Sequence, residues 1–389
     1  MTNQYWMYLS LWKEHGGAPG LGLFSVDADS GEITFCRKLD NSVSFGCSFV
    51  DQKRNILYLC NEEEKVRGVQ YDTGRIYGYK ISPEDGSLTE LFCRETYCPN
   101  PSYIGMDASG DFLVVAHHSP SGAVAKLEKD AAGKYVPKLT KRESLLELFS
   151  VNADGTVDEL LDVKTHQVDQ TTFPRGSFLH CAVFSPSGNL FAVCDKGDGC
   201  VYLYTIDRTR GELRLLSRTP TDVHGAHPRY CVFHPTKPYF VVNHEQMKDN
   251  RMMVCSFCYT ESGEVERISA VNVLPADCEV PPHNHFEQQG MCMSMDGSYI
   301  YTCLNGPNTV AVLSIDGASG ELRLVQNVPT EGEWPRGLAL MPGGKFVVAS
   351  SLVSGDITVY SIGKDGCLQA AGSAAKLRGG AYMSFCEKA

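Results

Sequence analysis

His224, His227, Arg229, His234, His244 and Glu245 fall within one stretch, VHGAHPRYCVFHPTKPYFVVNHE, from Val223 to Glu245. Imidazoles, a guanidinium and a carboxylate are the groups that move protons and hold anions near neutral pH. The residues between them are mostly apolar or turn-forming. They read as a strand over residues 230–233, a tight turn over 234–238 and a second strand over 239–243. Strands this apolar are buried on both faces, so an Arg just before the first and a Glu just after the second need a reason. In an antiparallel hairpin those two positions lie at the same end. They form either a structural ion pair at a sheet end or a catalytic or anion-binding mouth.

The rest of the chain must supply the frame. A short apolar strand is followed by a turn rich in Asp, Ser, Pro or Gly, then by an apolar strand ending in small or polar residues. A V-x-V-Y type strand comes third, and a D-x-x-x-G-x-L turn leads to a fourth. The phrase begins at Phe45, at Pro101, at Leu179 (LHCAVFSPSGNLFAVCDKGDGCVYLYTIDRTRGELRLLS), at Pro228, at Gln289 and at Pro335. Four strands in roughly 45–60 residues is the pattern of propeller blades. GGAYMSFCE, from Gly379, opens a seventh unit that stops. YWMYLS and GLGLFSVDADSGEITFCR near the N-terminus supply the later strands of a unit without its start. The expected fold is all-β: a seven-bladed β-propeller over residues 1–389 as a single domain, the last blade closed by both chain termini. Closure removes open sheet edges. Residues 142–152 fit a short helix or a strand, and 126–143 read as an exposed polar insertion.

Composition narrows the function. The 389 residues are 43% hydrophobic and 21% charged, with a formal net charge of −11. No long basic run offsets that charge, so no nucleic-acid partner is expected. No apolar run reaches the roughly 18 residues that span a bilayer. The N-terminus lacks a basic region followed by an apolar one, so a cytoplasmic location and no membrane partner are expected. Most of the 16 cysteines stand in apolar strand-like runs, as buried free thiols do. Cys255 and Cys258, three apart on a strand, point to opposite faces and have no second pair, which argues against zinc. His117–His118 and His283/His285 lack a clear carboxylate partner, so no metal and no cofactor are expected. G-x-S-x-G, the P-loop and G-x-G-x-x-G followed by a helix are all missing.

The phrases FLHCAVFSPSGNLFAVCDKGDG, HPRYCVFHPTKPYFVVNHE and WPRGLALMPGGKFVVAS resemble the lactonase family of seven-bladed propellers. That family includes a bacterial 6-phosphogluconolactonase and the fungal carboxy-cis,cis-muconate cyclase. The resemblance runs from about Tyr8 to Phe385. It implies a catalytic trio at His180, Arg229 and Glu245: Glu245 as base on water, Arg229 on the substrate anion or the oxyanion, His180 as proton donor. Substrate contacts are expected from Arg336, His227, Asn305 and His285. Asn305 stands where the family often carries an arginine, which removes one anion contact. Asp195 and Asp198, in the D-K-G-D loop, read as turn-shaping. The resemblance implies a lactonase acting on a sugar-type lactone, 6-phosphogluconolactonase-like. A muconate cyclase-like cycloisomerase and a non-catalytic ligand-binding propeller remain alternatives. The expected partner is a small lactone or carboxylate, and the expected state a monomer or weak homo-oligomer.

Overall fold

The computed structural model describes residues 3–389 except 14–15, 40–42, 64, 67–68, 71–72, 119–122, 142–143, 167, 169–175, 222–226, 246–250, 279–285 and 375. Seven four-stranded antiparallel sheets form the blades of a propeller. Near-continuous apolar runs such as Ile56–Asn61, Leu190–Asp195 and Tyr239–His244 send side chains alternately to the two sheet faces, and both faces are buried against the neighbouring blades. Phe191, Val193 and Tyr202 of blade three thus pack on Val114, Leu146 and Leu148 of blade two. Phe240 and Phe257 of blade four pack against Leu190 and Leu203 of blade three. Each such side chain contributes about 1.5–3 kcal/mol when fully buried.

The inner strands are Phe45–Asp51, Pro101–Met106, Leu179–Phe184, Pro228–Phe233, Glu287–Met293, Pro335–Leu340 and Gly380–Glu387, for blades one to seven. In blade seven the C-terminal strand Gly380–Glu387 pairs with Gln4–Leu11, followed outward by Gly20–Asp27 and Glu32–Leu39. The chain ends therefore close the ring, as the two half-units in the sequence require.

Residues 142–152, open between helix and strand in the sequence, contain the strand Leu145–Val151, third in blade two. The polar insertion is a two-stranded ribbon, Ala123–Lys129 paired with Tyr135–Lys141. It joins the second and third strands of its blade, and Leu127 and Tyr135 on it are exposed.

Each blade shares one irregularity. The register between the first two strands slips near the start of the inner strand, at Phe45/Ser48, Pro101/Tyr103, Leu179/Cys181, Pro228/Cys231, Gln288/Met291 and Pro335/Gly337. In blade seven it falls at Ser10/Leu11, opposite Gly380 and Tyr382. Such bulges leave one residue without a ladder partner and re-aim its side chain. Their residues ring one end of the channel.

All sixteen cysteines are free. Cys255 is buried and Cys258 half-buried on the strand Met253–Tyr259, and opposite faces follow from their spacing.

Candidate active site

His180 and Arg336 are bulge residues, passed over in the registers Leu179↔Asp195 to Cys181↔Cys194 and Pro335↔Ser351 to Gly337↔Ser350. Arg229 and Gln289 lie in the corresponding slips of blades four and five. Arg229 ion-pairs with Glu245, and Pro228 pairs with His244 across the hairpin, so both charges stand at one hairpin end. Glu245 is fixed by its backbone as well: its N–H donates to His227 O at 2.8 Å, and its carbonyl accepts from Gln288 N–H at 3.0 Å.

A second cation meets the same carboxylate. Lys196 Nζ lies 2.6 Å from both Oε1 and Oε2 of Glu245. Lys196 sits in the D-K-G-D turn of blade three. Asp195 shapes that turn: its Oδ1 accepts from Phe178 N–H at 2.7 Å and Gly197 N–H at 2.9 Å. Its Oδ2 meets His166 Nδ1 at 2.8 Å. A Cβ on Gly197 would fall 1.7 Å from Gly176 O, so only glycine fits that approach. Lys196 N–H donates to Phe178 O at 2.9 Å, and its own carbonyl accepts from His227 Nδ1 at 2.7 Å. The ammonium lies over the Phe178 ring, 5.1 Å from its centroid, and 3.3 Å from His118 Nε2.

His180 is almost wholly buried, and its Nδ1 has no hydrogen-bond partner among the described residues. Its ring stands edge-on to Tyr230 at 4.8 Å and to His118 at 5.5 Å. Burial first, then the charges of Arg229, Lys196, His118 and Arg336, hold its pKa well below the ordinary value. The imidazole is therefore neutral, and a neutral imidazole is a poor proton donor. Arg229 Nε is likewise buried without a partner among the described residues.

Arg336 closes the blade-six side. It stacks 3.7 Å above the Trp12 ring, donates to Gln289 Oε1 at 3.2 Å and lies 3.6 Å from Glu62 Oε2. The Glu62 carboxylate is a structural partner for a guanidinium that the sequence assigned to substrate. Asn305 ends the second strand of blade five, buried and opposite Glu287. His227 is held at the site through its bond to Lys196 O. His285, with His283 and His224, lies outside the described residues. Beneath the charged groups, Tyr103, Tyr230 and Tyr382 meet ring to ring. A cavity of about 240 Å³ runs down the channel beside them, along Arg336, Leu338, Met291 and Met383.

The other histidines do different work. His244 points into its blade and bonds Met253 O. His234 Nδ1 accepts two backbone N–H groups of the Thr236–Lys237 turn at the far end of the hairpin. The neighbours His117 and His118 part company: His117 Nε2 lies 3.4 Å from the fully buried Glu147, and His118 enters the site. Sequence reasoning passed over Lys196, Gln289, Glu62 and Trp12. Aligning the unit openings PSY, LHC, PRY, QQG and PRG would have found Gln289, since each places a polar residue at the bulge.

The model of the family described as lactonase, seven-bladed β-propeller, matches residues 8–385. The chain belongs to the lactonase family. Among its curated relatives, a 6-phosphogluconolactonase of Bacillus subtilis is 26% identical over 358 residues, 90% of this chain and 89% of the relative. One from Formosa agariphila is 22% identical over 91% of each chain. The periplasmic gluconolactonase of Pseudomonas aeruginosa shares the fold with a TM-score of 0.80, at 22% identity, over 98% of this chain and 99% of its own.

Proposed function

We propose that this member of the lactonase family hydrolyses a sugar-type lactone by attack of water on the ring carbonyl. The observation that carries the reading is the Glu245 carboxylate at the channel mouth, held between Lys196 and Arg229. A carboxylate offers about four lone-pair positions. Among the described residues, the two Lys196 contacts and the Arg229 contact occupy three, leaving one on Oε1 for a water molecule. Glu245 takes the proton as that water attacks. Arg229, fixed and desolvated, faces the negative charge that grows on the carbonyl oxygen or a substrate anion. His180 and Arg229 each have a buried polar atom, Nδ1 and Nε, without a partner among the described residues. Hydroxyls and carbonyls of a sugar lactone satisfy such atoms. The names of the curated relatives support the same class.

Three cations, Lys196, Arg229 and Arg336, also suit a dicarboxylate, which is the ground for keeping the cycloisomerase as the second reading. A panel of phosphorylated and neutral aldonolactones, δ-valerolactone and cis,cis-muconates, followed by proton release and ultraviolet absorbance, separates the two. Turnover of lactones alone supports the hydrolase. Turnover of muconates alone overturns it.

A further inference from the structure

Hydrolysis of a lactone requires two proton transfers: one from the attacking water, one to the ring oxygen as its bond to the acyl carbon breaks. Glu245 answers the first. His180, buried and neutral, is poorly placed to answer the second. Lys196 carries three protons on a short-range pivot: the ammonium touches both Glu245 oxygens at 2.6 Å, His118 Nε2 at 3.3 Å and the Phe178 face. Its backbone is clamped on both sides, by Phe178 O and His227 Nδ1. Its side chain is 5% exposed. A lysine in a turn normally extends into water. This one is folded back over an aromatic ring into the charged centre.

We propose that Lys196 is the general acid of the reaction and that its contact with Glu245 is the path that resets both groups. The inference rests on the lactonase reading. Water adds to the carbonyl carbon and its proton passes to Glu245, giving a carboxylic acid and a tetrahedral oxyanion beside Arg229. The oxyanion collapses, the bond from the acyl carbon to the ring oxygen breaks, and Lys196 gives one ammonium proton to that oxygen. The product is a hydroxy acid. Glu245 is left protonated and Lys196 as a neutral amine, in hydrogen-bond contact. The proton crosses from Oε to Nζ and restores carboxylate and ammonium. One water is consumed, and no proton need be exchanged with solvent until the product acid ionises. His118 and the Phe178 ring hold the amine in place throughout.

The test exploits the leaving group. An aliphatic lactone must expel an alkoxide, whose conjugate acid is about as weak as water, near pKa 16. Dihydrocoumarin expels a phenoxide, whose conjugate acid has a pKa of about 10, and departs without protonation. Lys196→Met and Lys196→Arg are compared with wild type on δ-valerolactone and dihydrocoumarin. Arginine keeps the ion pair with Glu245 but does not give up a proton, so it covers the case in which the Met variant fails to fold. Expected is a kcat loss of ~10²–10⁴-fold on δ-valerolactone, with less than about tenfold on dihydrocoumarin, for each variant that folds. Glu245→Gln should be impaired on both. Equal losses on the two lactones, or none, overturn the role of Lys196 and leave the lactonase reading standing. Wild-type protein inert towards both probes and towards the sugar lactones overturns the lactonase reading and this inference with it.

Discussion

Lys196 of blade three places its ammonium 2.6 Å from both carboxylate oxygens of Glu245 in blade four. The two residues belong to neighbouring sheets, and the packing of blade four on blade three sets their distance.

Glu245→Gln keeps the shape of the side chain and removes its basicity. On the best lactone found, kcat should fall ~10²–10⁴-fold in the folded protein, with a lowered melting temperature because Lys196 and Arg229 lose their shared counter-charge. Full activity in this variant, measured by proton release, would remove Glu245 from the mechanism.

Arg229→Ala should separate binding from chemistry. A rise in KM at constant kcat assigns the guanidinium to a substrate anion, and a fall in kcat assigns it to the oxyanion. Breaking a buried pair normally costs about 3–5 kcal/mol. Lys196 remains on Glu245, so the loss in urea unfolding should stay below about 3 kcal/mol. Asn305 supplies no charge, so phosphorylated and neutral lactones should differ in kcat/KM by less than about tenfold. A larger advantage for the phosphorylated form would point to another phosphate contact.

Stability should fall with acid through His244. Its Nδ1–H donates to Met253 O at 2.9 Å, its Nε2 is buried without a partner among the described residues, and burial lowers its pKa from 6.5 to about 4. The unfolded chain therefore binds the proton first. The stability at stake is fully present above pH 6.5 and is lost as pH falls towards 4. Between pH 7 and pH 4.5 the loss amounts to about 2–3 kcal/mol. Urea unfolding at the two pH values should show that difference shrink by this amount in His244→Gln. An unchanged difference would mean that His244 is not the group responsible.

Removing residues 379–389 strips the inner strand from blade seven and leaves Gln4–Leu11 as an open edge. A domain has only about 5–15 kcal/mol of net stability, and the buried contacts of Ala381, Met383 and Cys386 go with that strand. The truncated chain should melt far below wild type or aggregate. A cooperative transition at the full-length temperature, seen by calorimetry, would show that closure does not govern stability.

The blades were legible because the strand–turn–strand phrase recurs with its glycines and aspartates in place. Arg229 and Glu245 were legible because two charges flanking an apolar hairpin, brought together at its open end, are costly unless paired. Lys196 was not. In a D-K-G-D turn a lysine reads as solvated, and nothing local tells that Phe178 and Glu245 wait on either side. Glu62 and Trp12 reach Arg336 from 274 and 324 positions away (336 minus 62 and 336 minus 12), a relation set by ring closure. The ribbon at 123–141 was read only as exposed, since Pro137 and scattered charges blur its period-two pattern.

The seven register slips have an evolutionary reading. A side chain that faces a cross-strand partner is constrained by that partner's size and polarity. His180 and Arg336 sit where the ladder skips, and Arg229 and Gln289 lie in matching slips. Exchange at such a position leaves strand pairing in register and reprogrammes the rim. The scaffold thereby uncouples inheritance of its architecture from inheritance of its chemistry.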